Sequence, residues 1–192
     1  MRAVLARKTN TWITIKIHIL GASGSGTTTL GIKLAKSLNI SHFDSDDFFW
    51  EKTDPPFTKQ TEIPIRLLKL ISTLSEYDSW ILSGSIMDWG NILIPEFDYV
   101  VFVFLNNEIR MKRLLIREKE RYGSRINNGN DMFNTHNEFM NWASKYDTAG
   151  LEIRSLISHT EWLKKIKCPG IKIENVYDID DEVEFVIKSI NA

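Results

Sequence analysis

The stretch Gly21-Ala22-Ser23-Gly24-Ser25-Gly26-Thr27-Thr28 constrains this chain most, because of what stands on either side of it. Before it, Ile13, Ile15, Ile17 and Ile19 alternate with Thr14, Lys16 and His18, and Leu20 follows. A β-branched run that stops at a glycine reads as a buried strand. After it, Leu30, Ile32, Leu34, Ala35 and Leu38 fall close to helical spacing, which starts a helix near Thr27. Strand, glycine loop and helix aim a helix N-terminus and a set of converging backbone N–H groups at one anion. The spacing is that of the phosphate-binding motif G-x-x-x-x-G-K-[ST], with Thr27 where the lysine belongs. Thr28 is placed to put its hydroxyl on a phosphate-bound Mg²⁺. The lysine normally supplies charge to the β- and γ-phosphates, so the loop predicts nucleotide binding and leaves catalysis open.

The remainder of the chain alternates in the same way. A second strand is expected at about 40–44, a helix carrying Ile65, Leu68 and Ile71 after the Asp54-Pro55-Pro56 break, and a third strand at 80–82. Tyr99 to Leu105 is a continuous apolar run, as in a strand covered on both faces. A long helix follows from about Asn107 to Tyr122, then helices near 131–146 and 151–166, a fifth strand at 171–174 and a helix at 182–190. Strands alternating with helices predict an α/β fold with a parallel sheet, whose ligands bind beyond the carboxyl ends of the strands. Met1 to Asn10 reads as a short basic extension, and about 123–147 as a lid region of one 192-residue domain.

Three polar clusters meet at those strand ends: the glycine loop, Asp44-Ser45-Asp46-Asp47 and Ser83-Gly84-Ser85. The aspartates beside a phosphate site hold Mg²⁺ or orient a substrate hydroxyl; the bland alternative is that Asp44 or Asp46 caps the helix starting near Phe48. Arg110, Arg113, Arg117 and Arg121 recur at steps of three, four and four, which predicts one basic stripe, with Met111, Leu114 and Leu115 on the buried side. Arg125 follows past Gly123. Such a stripe reads as a clamp on polyphosphate or as a solvated basic face. His136 has no second ligand at metal spacing and reads as a polar lid contact, while Trp50, Trp89 and Trp142 fit either core packing or a ring-stacking wall.

Composition limits the rest. A hydrophobic share of 43% and a net charge of −1 fit a globular protein and argue against a dedicated nucleic-acid binder. No run approaches a transmembrane span, and the first ten residues lack the core of a signal peptide. Cys168 is alone, so no internal disulfide forms, and a cytoplasmic location is expected.

Together these residues resemble the P-loop small-molecule and nucleoside monophosphate kinases, the adenylate kinase and shikimate kinase group. The match lies in Gly21 to Thr28, Asp44 to Asp46, Ser83-Gly84, and Arg113, Arg117, Arg121 and Arg125. Gly-Ala-Ser-Gly-Ser-Gly, His42 to Asp47 and Arg121 to Ile126 look most like a bacterial adenylate-kinase-like group, some of it labelled DNA topology modulation or FlaR-like. The resemblance implies a P-loop three-layer sandwich, with a five-stranded parallel sheet in order 2-3-1-4-5 and a helical lid. It implies ATP and Mg²⁺ as cofactors, held by Gly21, Ser23, Gly24, Ser25, Gly26, Thr27, Thr28, Thr29, Arg113 and Arg125. Asp44 and Thr28 would serve the metal, Asp46 the acceptor, and Arg117 and Arg121 the transferring phosphate. Thr27 departs from the pattern, and no Asp-Gly-Phe-Pro stretch is present, which argues against AMP as acceptor; Ser83-Gly84-Ser85 matches the shikimate-binding loop only loosely. Three expectations follow: an ATP-dependent phosphotransferase on a small acceptor, a nucleotide sensor without turnover, or, more weakly, a DNA topology factor.

Overall fold

The computed structural model describes residues 14–174 and 178–192; the basic extension Met1 to Asn10 lies outside them. Five strands, β1 (Lys16–Gly21), β2 (Ser41–Asp44), β3 (Trp80–Ser83), β4 (Tyr99–Phe104) and β5 (Gly170–Glu174), form one sheet. All pairings are parallel, and the order is β2-β3-β1-β4-β5. This is the order the resemblance implies.

Among the described residues seven α-helices surround the sheet: α1 (Thr27–Leu38), α2 (Asp46–Phe49), α3 (Ile63–Leu74), α4 (Asn107–Tyr122), α5 (Phe133–Ser144), α6 (Leu156–Leu163) and α7 (Ile179–Ile190). Strand alternation sorts them into two outer layers. Ile17, Ile19, Val101 and Val103 face one side and pack with Leu30, Leu34, Val183 and Val186 from α1 and α7. Leu20, Leu82, Val100 and Phe102 face the other and pack with Leu70, Leu74 and Trp162 from α3 and α6. Burying both faces is why β1 and β4 are apolar throughout.

His18, expected as the polar member of an alternation, is fully buried on the second face. It stacks on Phe97 at 4.9 Å and bonds through Nδ1 to the Leu82 carbonyl at 3.0 Å. His159 is equally buried, with Nδ1 2.7 Å from the Tyr146 hydroxyl. Burial pushes His18 down to about 4 and His159 to about 3, so both are neutral in the folded state. Unfolding restores ordinary values near 6.5, and the unfolded chain then binds more protons below that pH. Stability from this pair is therefore complete above pH 6.5 and falls as the medium is acidified toward pH 4. The urea midpoint should drop between pH 6.5 and 5 in a chain carrying Glu182→Gln and Asp46→Asn, which removes two carboxyls whose raised pKa acts in the opposite direction over that interval. A flat midpoint across that interval would contradict the neutral pair.

Two late helices are shorter than expected, and α7 begins earlier. Ser155 opens α6 by a capping box with Ser158, so 151–155 is excluded from the helix. Asp178 accepts from Asp180 N at 2.7 Å and fixes the start of α7 at Ile179. Among the described residues no helix is long and apolar enough to cross a membrane.

Candidate functional site

The carboxyl ends of β1, β2 and β3 open into a cleft of about 1660 Å³. Its floor is the glycine loop. Gly24 at φ 80° and Gly26 at φ 105° adopt left-handed backbone that side-chain-bearing residues avoid. A Cβ on Gly24 would also lie 2.9 Å from the Arg110 carbonyl oxygen and from Leu114, so the loop is seated on α4. The turn is pinned by Ser25 N donating to Ala22 O at 3.0 Å. Thr27 opens α1 with its methyl folded back toward Gly21, and no amine from this position enters the cleft.

Beside the loop, Asp44 organises a polar network. Its Oδ2 accepts from the Thr28 hydroxyl at 2.6 Å and from the Ser83 hydroxyl at 3.3 Å, and its Oδ1 accepts from Asp46 N at 3.0 Å. Asp44 thus does two things: from the end of β2 it satisfies the Asp46 N–H at the start of α2, and it faces Thr28. His42 Nε2 lies 2.9 Å from the same Ser83 hydroxyl, and burial lowers its pKa toward the neutral form. A hydroxyl and a carboxylate at this distance are hard oxygen donors that fit Mg²⁺ bound alongside a phosphate. Among the described residues no three His, Cys, Asp or Glu side chains converge on a metal position. The remaining ligands would be phosphate oxygens and water, as Mg²⁺ usually takes them.

Asp46 is reachable from the cleft while the cleft walls crowd it. That desolvation, reinforced by Asp44, raises its carboxyl above the ordinary carboxylate range. Arg154, Arg117 and Arg121 oppose the shift, which puts three guanidiniums near one carboxylate. Arg154 donates to Ser23 Oγ in the glycine loop at 2.8 Å and lies over the Trp142 ring at 4.7 Å. Arg117 lies 5.7 Å from the Phe139 ring, and Arg121 4.0 Å from the Phe57 ring. Glu118, almost fully buried, steadies Arg121 at 3.5 Å and meets His136 at 3.4 Å. His136 thus makes a buried polar contact between α5 and α4. The Nε atoms of Arg117 and Arg154 are both buried without a hydrogen-bond partner.

The four-arginine stripe does not survive as drawn. Arg110 is fully buried, with Nη2 2.9 Å from Asp147 and Nε 3.0 Å from the Leu105 carbonyl. Periodicity groups Arg110 with the others, but α4 is covered on this side by the chain after α5, so Arg110 braces the scaffold. Leu115, expected to be buried, is exposed, and of that set Leu114 fills the core. Arg113 faces the cleft, with its Nη1 3.5 Å from where a Cβ on Gly26 would be. Arg125 sits in the turn Gly123–Ile126, hydrogen-bonded to Asp131 and, at 2.8 Å, to Asp54. The cleft wall beyond Asp46 includes Phe49, Trp50, Phe57 and Trp89.

Arg154 is the residue the sequence did not single out. It stands between Ile153 and Ser155 in a stretch read as helix, and its contact with Ser23 spans 131 residues. Its one sequence signal was that it is a lone cation beside an apolar turn.

The chain is 41% identical over 176 residues to the uncharacterised protein YqaC of Bacillus subtilis, covering 92% of this chain and 97% of that one. No family model matches it. Shikimate kinase from Bacteroides thetaiotaomicron superposes with a TM-score of 0.58 at 18% identity, over 93% of this chain and 99% of that one. Deoxyadenosine kinase from M. mycoides superposes at 0.51 with 14% identity, over 92% and 99% respectively. The fold is the P-loop kinase fold.

Proposed function

We propose that this chain, which belongs to the family of the Bacillus subtilis protein YqaC, is a Mg²⁺-dependent phosphotransferase. It would move the γ-phosphoryl group of a nucleoside triphosphate, ATP by the sequence resemblance, to a hydroxyl of a small acceptor. The observation that carries this reading is Asp46 facing Arg117, Arg121 and Arg154 across from a glycine loop, with two guanidinium Nε atoms buried and unpaired. Guanidiniums gathered beside a phosphate-type loop match the oxygens of a polyphosphate, which accept from planar N–H donors.

In this reading the backbone amides of Ser23 to Thr28 cradle the phosphates, with Thr29 in the next turn of the helix. Thr28 and Asp44 hold Mg²⁺, whose part is to neutralise charge on the phosphate oxygens. Asp46 accepts the proton of the acceptor hydroxyl as its oxygen bonds to phosphorus and the bond to the diphosphate breaks. Arg117, Arg121 and Arg154 stabilise the charge spread over the transferring group. Arg113 flanks the nucleotide, and Arg125 joins by exchanging Asp54 for a phosphate oxygen. Absence of an Asp-Gly-Phe-Pro stretch argues against AMP as acceptor.

A second reading, nucleotide sensing without turnover, is favoured by Thr27 alone. A third, action on DNA topology as in the FlaR-like group, has the net charge of −1 against it. The first test is calorimetric titration with nucleoside triphosphate and diphosphate, each with and without Mg²⁺. Micromolar, Mg²⁺-dependent binding is expected. No binding up to millimolar nucleotide would overturn both nucleotide readings.

A further inference from the structure

One carboxylate in the cleft has no part in the scheme above. Glu182, in the first turn of α7, lines the cleft with Ile179, yet is only 4% exposed. Its Oε2 is buried and has no hydrogen-bond partner. Burial pushes its carboxyl up to about 7, with Arg113 opposing the shift and Asp178 adding to it. Asp46 opens α2 just beyond β2, whereas Glu182 stands in α7 beyond β5, and the sheet order places those two strands at opposite edges. The two carboxylates therefore occupy different ends of the cleft.

The end that holds Glu182 is where a nucleotide base would lie. Arg113 Nη1 stands 3.5 Å from where a Cβ on Gly26 would be, on the loop's own flank, and the aromatic wall and Asp46 claim the opposite end for the acceptor. Val183 and Val186 of α7 pack in one buried cluster with Leu30 and Leu34 of α1, which holds the turn carrying Glu182 against the helix that starts at the loop. Glu182 thus stands at a fixed place relative to any phosphate held there. A planar guanidinium such as that of Arg113 stacks on any base and does not discriminate between them. A carboxylate does, because it accepts hydrogen bonds and donates none.

We propose that Glu182 selects guanine as the base of the bound nucleoside triphosphate, its carboxylate accepting the base N1–H and the exocyclic 2-amino group. Guanine presents two adjacent donors to two carboxylate oxygens. Adenine presents one donor, its 6-amino group, beside an N1 lone pair that a carboxylate repels. The inference rests on the phosphotransferase reading and replaces the ATP of the sequence resemblance with GTP.

The test is calorimetric titration of the full chain at pH 8, where Glu182 is ionised, with GTP and with ATP in the presence of Mg²⁺. GTP should bind about tenfold or more tighter, the discrimination typical of a bidentate contact to a base. In Glu182→Gln the side-chain amide offers one acceptor and one donor, which matches the adenine edge, so the preference should invert. ATP binding as tightly as GTP in the wild type would overturn the inference and leave the phosphotransferase reading intact. So would an unchanged ratio in a folded Glu182→Gln protein. Failure of both nucleotides to bind would overturn the phosphotransferase reading as well.

Discussion

Replacing Arg154 with alanine is expected to lower the rate of γ-phosphate release, to water or to an acceptor, by about 10²–10³, the usual effect of removing one preorganised donor. The loop carries no lysine, and Thr27 turns a methyl group toward Gly21. A phosphate chain on this loop therefore lacks a point charge that other phosphate loops supply from within. Arg154 is bonded to the loop through Ser23 Oγ at 2.8 Å, faces the cleft, and has no partner at its Nε. Losing charge-assisted hydrogen bonds of this kind costs about 1.5–3 kcal/mol each. The same substitution removes packing on Trp142, so folding is checked in parallel by circular dichroism. The sharper result comes from a pair. If Arg154 stands in for the lysine, Thr27→Lys should recover much of the rate in the Arg154→Ala background and add little to the wild type. Strict additivity of the two changes would mean that they serve different groups. An unchanged rate in folded Arg154→Ala would remove it from the mechanism.

Arg154 also marks the boundary of what the sequence made legible. The glycine loop, the aspartates after β2 and the five strands are local patterns. A left-handed turn needs glycine, a strand buried on both faces needs an apolar run, and each requirement is written within about ten residues. The order of the sheet came with the resemblance and not from any one stretch. What could not be read is how distant segments fold back over the loop. Arg154 reaches Ser23 because 145–155 forms turns and α6 starts late, at a cap whose two partners are both serines. Arg110 and Arg113 are indistinguishable by spacing. Their fates diverge because Asp147 lies over one and the open cleft over the other. Strand alternation alone makes His18 a polar-face residue, whereas a sheet covered on both sides buries either parity, and His18 stacks on Phe97 and meets Trp162 edge-on. Glu182 gave no signal, since a glutamate in the first turn of a helix is ordinary on electrostatic grounds.

Asp46→Asn should cut transfer to an acceptor by about 10²–10⁴, the usual contribution of a positioned general base, while leaving nucleotide affinity nearly unchanged. Asparagine keeps the size and much of the hydrogen bonding but accepts no proton. The wild-type pH profile should carry the same signature. Burial and the charge of Asp44 raise the Asp46 carboxyl, and the carboxylate is the working form. Turnover should therefore fall on acidification at a pH above the ordinary carboxylate range, and this limb should vanish from the residual activity of Asp46→Asn. Stability moves the opposite way. A carboxyl whose folded pKa exceeds its unfolded value binds more protons folded than unfolded, so ionisation at neutral pH works against the fold. Relieving that charge should raise the melting temperature of Asp46→Asn at neutral pH even as transfer collapses. A carboxylate kept at the expense of stability, in the presence of three arginines, is the pattern of a residue held for chemistry. If Asp46→Asn melts lower and transfers phosphate normally, the carboxylate is a structural cap, and the sensing reading gains ground.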